Sequence, residues 1–126
     1  MLMSERLKTL YSELMDVIAE YRPEEAAIEE LYFNTNAKTV IFVGEARGVA
    51  VLACSNSGLP IYEYTPLQIK TSMTGNGRAE KKQVQFMVKK LLGLDDIIKP
   101  DDAADAVAAA MTHANTGEAR KRMLQR

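Results

Sequence analysis

The residues best suited to chemistry are carboxylates. Asp102 and Asp105 lie three apart at the start of the alanine-rich run KPDDAADAVAAA, residues 99–110. On a helix that spacing places both on one face, a turn apart. Two readings stand side by side. The pair can be ordinary first-turn acids, which favour the positive end of a helix dipole, or half of a metal site. Ala103, Ala104, Ala106 and Ala108 leave open space beside them, as a hydrated metal or a phosphate backbone requires. Glu29 and Glu30 sit in AAIEELYF, which reads as a strand. Strand side chains alternate, so one of the two glutamates falls on the face that helices would cover. A carboxylate there is costly unless it is paired or metal-bound. The plainer alternative is a strand-end glutamate reaching solvent.

Cations gather in residues 70–82, where Lys70, Arg78, Lys81 and Lys82 oppose only Glu80, and Gly75 and Gly77 make the backbone pliable. Such a segment can follow a phosphate backbone and order on contact, or be a solvated surface loop. Arg120, Lys121, Arg122 and Arg126 form a second basic cluster in the tail. His113 is eleven residues beyond Asp102, roughly 16 Å along a straight helix, and so reads as a surface or helix-end histidine rather than a co-ligand. Among Tyr32, Phe33, Tyr62 and Tyr64, most read as core or rim residues. Tyr32 follows the glutamate strand, where a base could stack on it. Gly44 and Gly48 share a helix face with small neighbours and admit a close helix, either internal or from a second subunit.

These side chains need elements to hold them. Apolar residues at 7, 10, 11, 14, 15 and 18 predict a first helix over 4–21 with Ser4 as N-cap. A strand follows at about 26–33, then an apolar helix at 37–55 ending near Gly58. LPIYEY is a second short strand. Residues 65–83 read as a loop with a short helix at 66–71. AEKKQVQFMVKKLLG forms an amphipathic helix closed by Gly93, LDDIIKP a linker, and 101–114 the last helix. The polar, basic tail 115–126 is expected to fray. Strands alternating with helices indicate an α/β class with parallel pairing, although two strands make a thin sheet.

Composition bounds the rest. The chain has 126 residues, 47% hydrophobic and 26% charged, with a net charge of −1. It therefore reads as one soluble domain, 1–126, and any case for nucleic acid must rest on local charge. The lone Cys54 permits no internal disulfide and reads as a small buried hydrophobe in a reducing compartment. No apolar run is expected to span a membrane, MLMSERLK is no signal peptide, and a cytoplasmic location is expected.

Taken in order, AIEELYF, GEARGVAVLA, LPIYEYTPLQIK, GNGRAEKKQVQFMV and KPDDAADAVAAAMTHA resemble the RuvC family of bacterial Holliday-junction resolvases, from the first helix to about His113. The resemblance implies a ribonuclease H-like α/β fold, a homodimer, and endonuclease action on four-way junction DNA with Mg²⁺, or Mn²⁺ in its place. It implies Glu29, Asp102 and Asp105 as catalytic metal ligands, and Tyr32, Lys70, Arg78 and Lys81 as DNA contacts. The helix carrying Gly44, Arg47 and Gly48 would build the dimer interface, and branch-migration helicases would be partners. No membrane is implied.

The sequence also departs from that pattern. Members of the family open with a strand bearing a G-x-D-P-G motif, whose aspartate is a further metal ligand, and two more strands follow it. The chain starts at the helix after them, and Asp16 lies mid-helix. The expectation is thus a truncated ribonuclease H-like fold with few strands. Its turnover would be weak or absent, and the alternative is a dimerising, junction-binding fragment.

Overall fold

The structure is a computed structural model and describes residues 2–30 and 37–124. Its elements are α1 (Met3–Tyr21), β1 (Ala26–Glu29), α2 (Ala37–Asn56), β2 (Ile61–Tyr64), α3 (Pro66–Thr74), α4 (Lys81–Leu92) and α5 (Asp101–Leu124). The class is α/β, mostly helical, with a two-stranded sheet among the described residues. Ala26 N–H donates to the Pro60 carbonyl at 2.9 Å and Glu30 N–H to that of Tyr64 at 2.7 Å. The partners advance together along both strands, so the pairing is parallel, as the alternation of elements predicts.

Packing divides the chain into two compact units. One is the pair α1 and α2, tied by Asn56 Nδ2 donating to Tyr11 Oη at 2.8 Å and by Arg6 lying 4.6 Å over the Phe42 ring. Ala53 is fully buried there. Cys54 is only half-buried, and burial pushes its thiol pKa up. Leu2, not Ser4, precedes α1, and its N–H donates to Glu5 Oε2 at 3.1 Å. The Ser4 cap is therefore corrected: the helix begins two residues earlier than polarity suggests. A second correction concerns α2. Its window Thr39–Asn56 has a mean hydropathy of 1.2 and is 6% buried, long and apolar enough to cross a membrane by length and composition alone. Against that, Glu45 and Arg47 stand in mid-helix, where a bilayer penalises charge.

The other unit holds β1 from Ala27 onward, β2 from Tyr62, and α3 to α5. Tyr64, Ile69, Met73, Val84, Val88, Ala108 and Ala109 form its core. The small residues on α5 let it pack closely on α3 and α4. Residues 65–83 hold more helix than the expected loop with a short helix at 66–71. TPLQ is a capping box: Gln68 N–H donates to Thr65 Oγ1 at 3.1 Å, Thr65 N–H donates to Gln68 Oε1 at 2.8 Å, and Pro66 sits at the first helical position. Helix α3 thus runs to Thr74 and ends at Gly75, φ +78°. Lys70 rides on α3 and Lys81 on the first turn of α4, which fixes two cations that a loop would leave mobile. Helix α5 also passes the predicted end at 114 and continues to Leu124. Its polarity suggests fraying, but Glu118–Leu124 is made of good helix formers with no proline.

Candidate functional site

Three helices and a strand converge on Glu29. The side chain leaves the end of β1 half-buried, where strand alternation turns it toward the helices. It lines a hollow of about 470 Å³ with Lys70 of α3, Glu80 and Lys81 at the start of α4, and Asp105 of α5. It also lines a hollow of about 320 Å³ with Asp102, Asp105 and Ala106. Glu29 and Asp105 therefore belong to both hollows, and Asp102 to the second. Pro100 starts α5 by accepting Ala103 N–H at 3.0 Å, which sets Asp102 and Asp105 in its first turns.

The charges in this place are unbalanced. Burial raises the Glu29 pKa and the Asp105 charge raises it further, while Lys81 and Lys70 pull it back without cancelling the shift. Lys81 Nζ lies 3.4 Å from Asp105 Oδ2 and 3.7 Å from Asp101 Oδ2. Desolvation lowers the Lys81 pKa, but Asp105, by charge and hydrogen bond, and then Asp101 and Asp102 outweigh it, and the net shift is upward. The ammonium already stands where acidic charge calls for a cation.

The donor set suits a hard divalent ion. All three donors are carboxylates, and Mg²⁺ commonly binds one or two carboxylates while keeping several waters and taking substrate phosphates. Among the described residues no three such side chains lie close enough to share one ion. The arrangement fits an ion on Glu29 and Asp105 with Asp102 nearby, rather than a closed protein cage.

Not every predicted residue gathers here. Arg78 is exposed on the 75–80 turn, its N–H on Asn76 Oδ1 at 2.9 Å, and lines neither hollow. Tyr32 lies outside the described residues. Gly44 and Gly48 are on α2, in the other unit, and a Cβ at either would meet nothing within 4 Å. An internal helix partner for that face is thus without support among the described residues, while Arg47 stands on the same helix. His113 is corrected: it is no surface histidine. It stacks on Tyr62 with ring centroids 4.5 Å apart and its Nδ1 is hydrogen-bonded to Tyr64 Oη. Tyr62 and Tyr64 alternate onto one face of β2, a signal that the strand pattern already carried.

Asp101 and Gln85 escaped the sequence reading. Gln85 Nε2 donates to Asp101 Oδ1 at 3.1 Å. Attention to the three-residue spacing of Asp102 and Asp105 hid the four-residue spacing of Asp101 and Asp105, which turns both toward Lys81.

Residues 2–113 match the family model described as crossover junction endodeoxyribonuclease RuvC. The protein of that name from Caldanaerobacter subterraneus subsp. tengcongensis is 58% identical over 118 residues, covering 94% of this chain and 72% of the relative. That from Desulforamulus reducens is 60% identical over 109 residues, covering 86% and 67%. The solved structure of Thermus thermophilus RuvC aligns with a TM-score of 0.84 at 36% identity, over 90% of this chain and 69% of that one. The same protein in complex with a Holliday junction substrate aligns with a TM-score of 0.86.

Proposed function

The chain belongs to the RuvC family of crossover junction endodeoxyribonucleases, and from that premise we propose that it cuts four-way DNA junctions with Glu29, Asp102 and Asp105 as its metal-holding carboxylates. The fold is ribonuclease H-like. The observation that carries the reading is the pairing of Glu29 with Asp105 across two adjoining hollows, with two lysines at the rim.

Each residue has a physical part. Glu29 and Asp105 concentrate negative charge in a partly desolvated place and so favour a divalent cation, Mg²⁺ by preference and Mn²⁺ in its stead. When bound, such an ion supplies Lewis acidity toward a phosphoryl oxygen and an activated water. Lys70 and Lys81, which line the hollow beside Glu29 and Asp105, meet the phosphates of an entering strand. Arg78 on its exposed turn adds a backbone contact farther out. Tyr32 is assigned to stacking on a junction base. The α2 face around Gly44, Arg47 and Gly48 is assigned to a homodimer, whose two-fold axis would present two sites to symmetric strands. Branch-migration helicases as partners and a cytoplasmic location complete the proposal.

A junction-binding module without turnover is the competing reading. It is favoured by the absence, among the described residues, of three donors near enough to share an ion. Cleavage of a labelled four-way junction, with Mg²⁺ or with EDTA and beside Asp102→Asn, separates the two. Metal-dependent symmetric nicking that Asp102→Asn abolishes supports the nuclease. A gel shift without nicking leaves the binding module.

A further inference from the structure

Lys81 has two carboxylate partners on one helix, and they are not equivalent. The Asp105 side chain is 36% exposed and shares two hollows with Glu29. The Asp101 side chain is 68% exposed and lines neither hollow. Asp101 is also held from a second helix, because Gln85 of α4 donates to its Oδ1 while its Oδ2 faces Lys81. One carboxylate oxygen is thus fixed by the amide and the other is presented to the ammonium.

An ammonium against Asp105 competes with any other cation for that carboxylate. For Asp105 to hold a divalent ion through Oδ2, Lys81 must draw back from that oxygen, because an ammonium and a divalent ion on the same oxygen repel each other. With no second partner it would withdraw into water and lose an ion pair. Asp101 is already within 3.7 Å, so the withdrawal needs only a small shift of the flexible lysine end.

We infer that Asp101 is a positioning residue for Lys81: it holds the ammonium at the rim while Glu29 and Asp105 take a divalent cation, and so raises the affinity of the hollow for that cation. The inference rests on the carboxylate metal site proposed above. Asp101 itself binds no metal in this scheme. Its effect passes through Lys81, which stays near the rim for a phosphate.

The test is calorimetric titration of Mn²⁺ into the full chain without DNA, so that no turnover enters the reading. Asp101→Asn should weaken binding about two- to fivefold, the size of an exposed ion pair. Gln85→Ala should weaken it less, in the same direction, and carries the test should Asp101→Asn fail to fold. Lys81→Met should tighten binding, and in that background Asp101→Asn should change nothing. An equal loss in the Lys81→Met background would mean that Asp101 acts on the ion by its own field, which overturns the inference. So would Asp101→Asn and Gln85→Ala both binding as the parent chain does. Glu29→Gln separates the two levels. If the parent chain binds no Mn²⁺, or no more than Glu29→Gln, the metal site falls and the inference with it. If Glu29→Gln abolishes binding and Asp101→Asn leaves it intact, the inference alone falls.

Discussion

Glu29 is set against itself: the features that equip it to hold a cation make it unfavourable without one. Burial and the neighbouring Asp105 raise its pKa in the folded state. A carboxyl whose folded pKa is raised adds stability that is fully present below its unfolded pKa, about 4.3, and lost as pH rises through the folded value. At neutral pH the ionised form therefore destabilises the fold. Glu29→Gln keeps the neutral form at every pH. In EDTA its melting temperature should exceed that of the parent chain at pH 7, and the gap should close toward pH 4. Equal melting curves at pH 7 would show that Lys70 and Lys81 neutralise Glu29 fully. Junction cleavage should respond in the opposite sense. Loss of this ligand should reduce the rate by about 100-fold or more, beyond the 10- to 100-fold cost of outer-shell changes around a metal.

At the scale of elements, the site depends on how helices start and stop. Thr65 anchors the helix that carries Lys70, and its box is complete. Thr65→Ala should cost about 1 kcal/mol in chemical denaturation and weaken junction binding with little change in metal affinity. Arg22 closes α1 in the left-handed region at φ +47°. Arg22→Gly removes that strain and should stabilise the chain by roughly 0.5–1 kcal/mol, read from the same denaturation curves. These details also show what the sequence could and could not reveal. Strand alternation left Glu29 and Glu30 open and helical spacing left Asp102 and Asp105 as possible first-turn acids, so it was the ordered motifs that singled out Glu29, Asp105 and Lys81. The extent of α3 was not, because its capping box sits inside a polar, glycine-bearing segment whose composition suggests a loop. Nor was the setting of His113, which rests on Tyr62 and Tyr64 from a strand 49 residues away from it in the Tyr64 bond. Local pattern reports which face a residue takes, and only packing reports what covers that face.

For the whole molecule the open question is association, and α2 frames it. Ile41, Gly44, Gly48 and Leu52 recur at helical spacing and form one stripe. Its ends are apolar and exposed, Ile41 at 60% and Leu52 at 51%, and nothing lies within 4 Å of a Cβ built at either glycine. The stripe thus combines exposed apolar area with a backbone that another helix can approach closely. The proposed homodimer would use it. Gly48→Arg is the discriminating change. In the isolated chain the new side chain meets open space, and arginine is the better helix former by about 0.8 kcal/mol. The monomer should therefore fold at least as well as before, which thermal melts at low concentration would verify. If the stripe is the dimer contact, the same arginine forces a bulky charge between two close helices. Sedimentation should then show a dimer for the parent chain and a monomer for Gly48→Arg. A dimer for both would move the interface off α2, and a monomer for both would mean that each chain meets junction DNA singly.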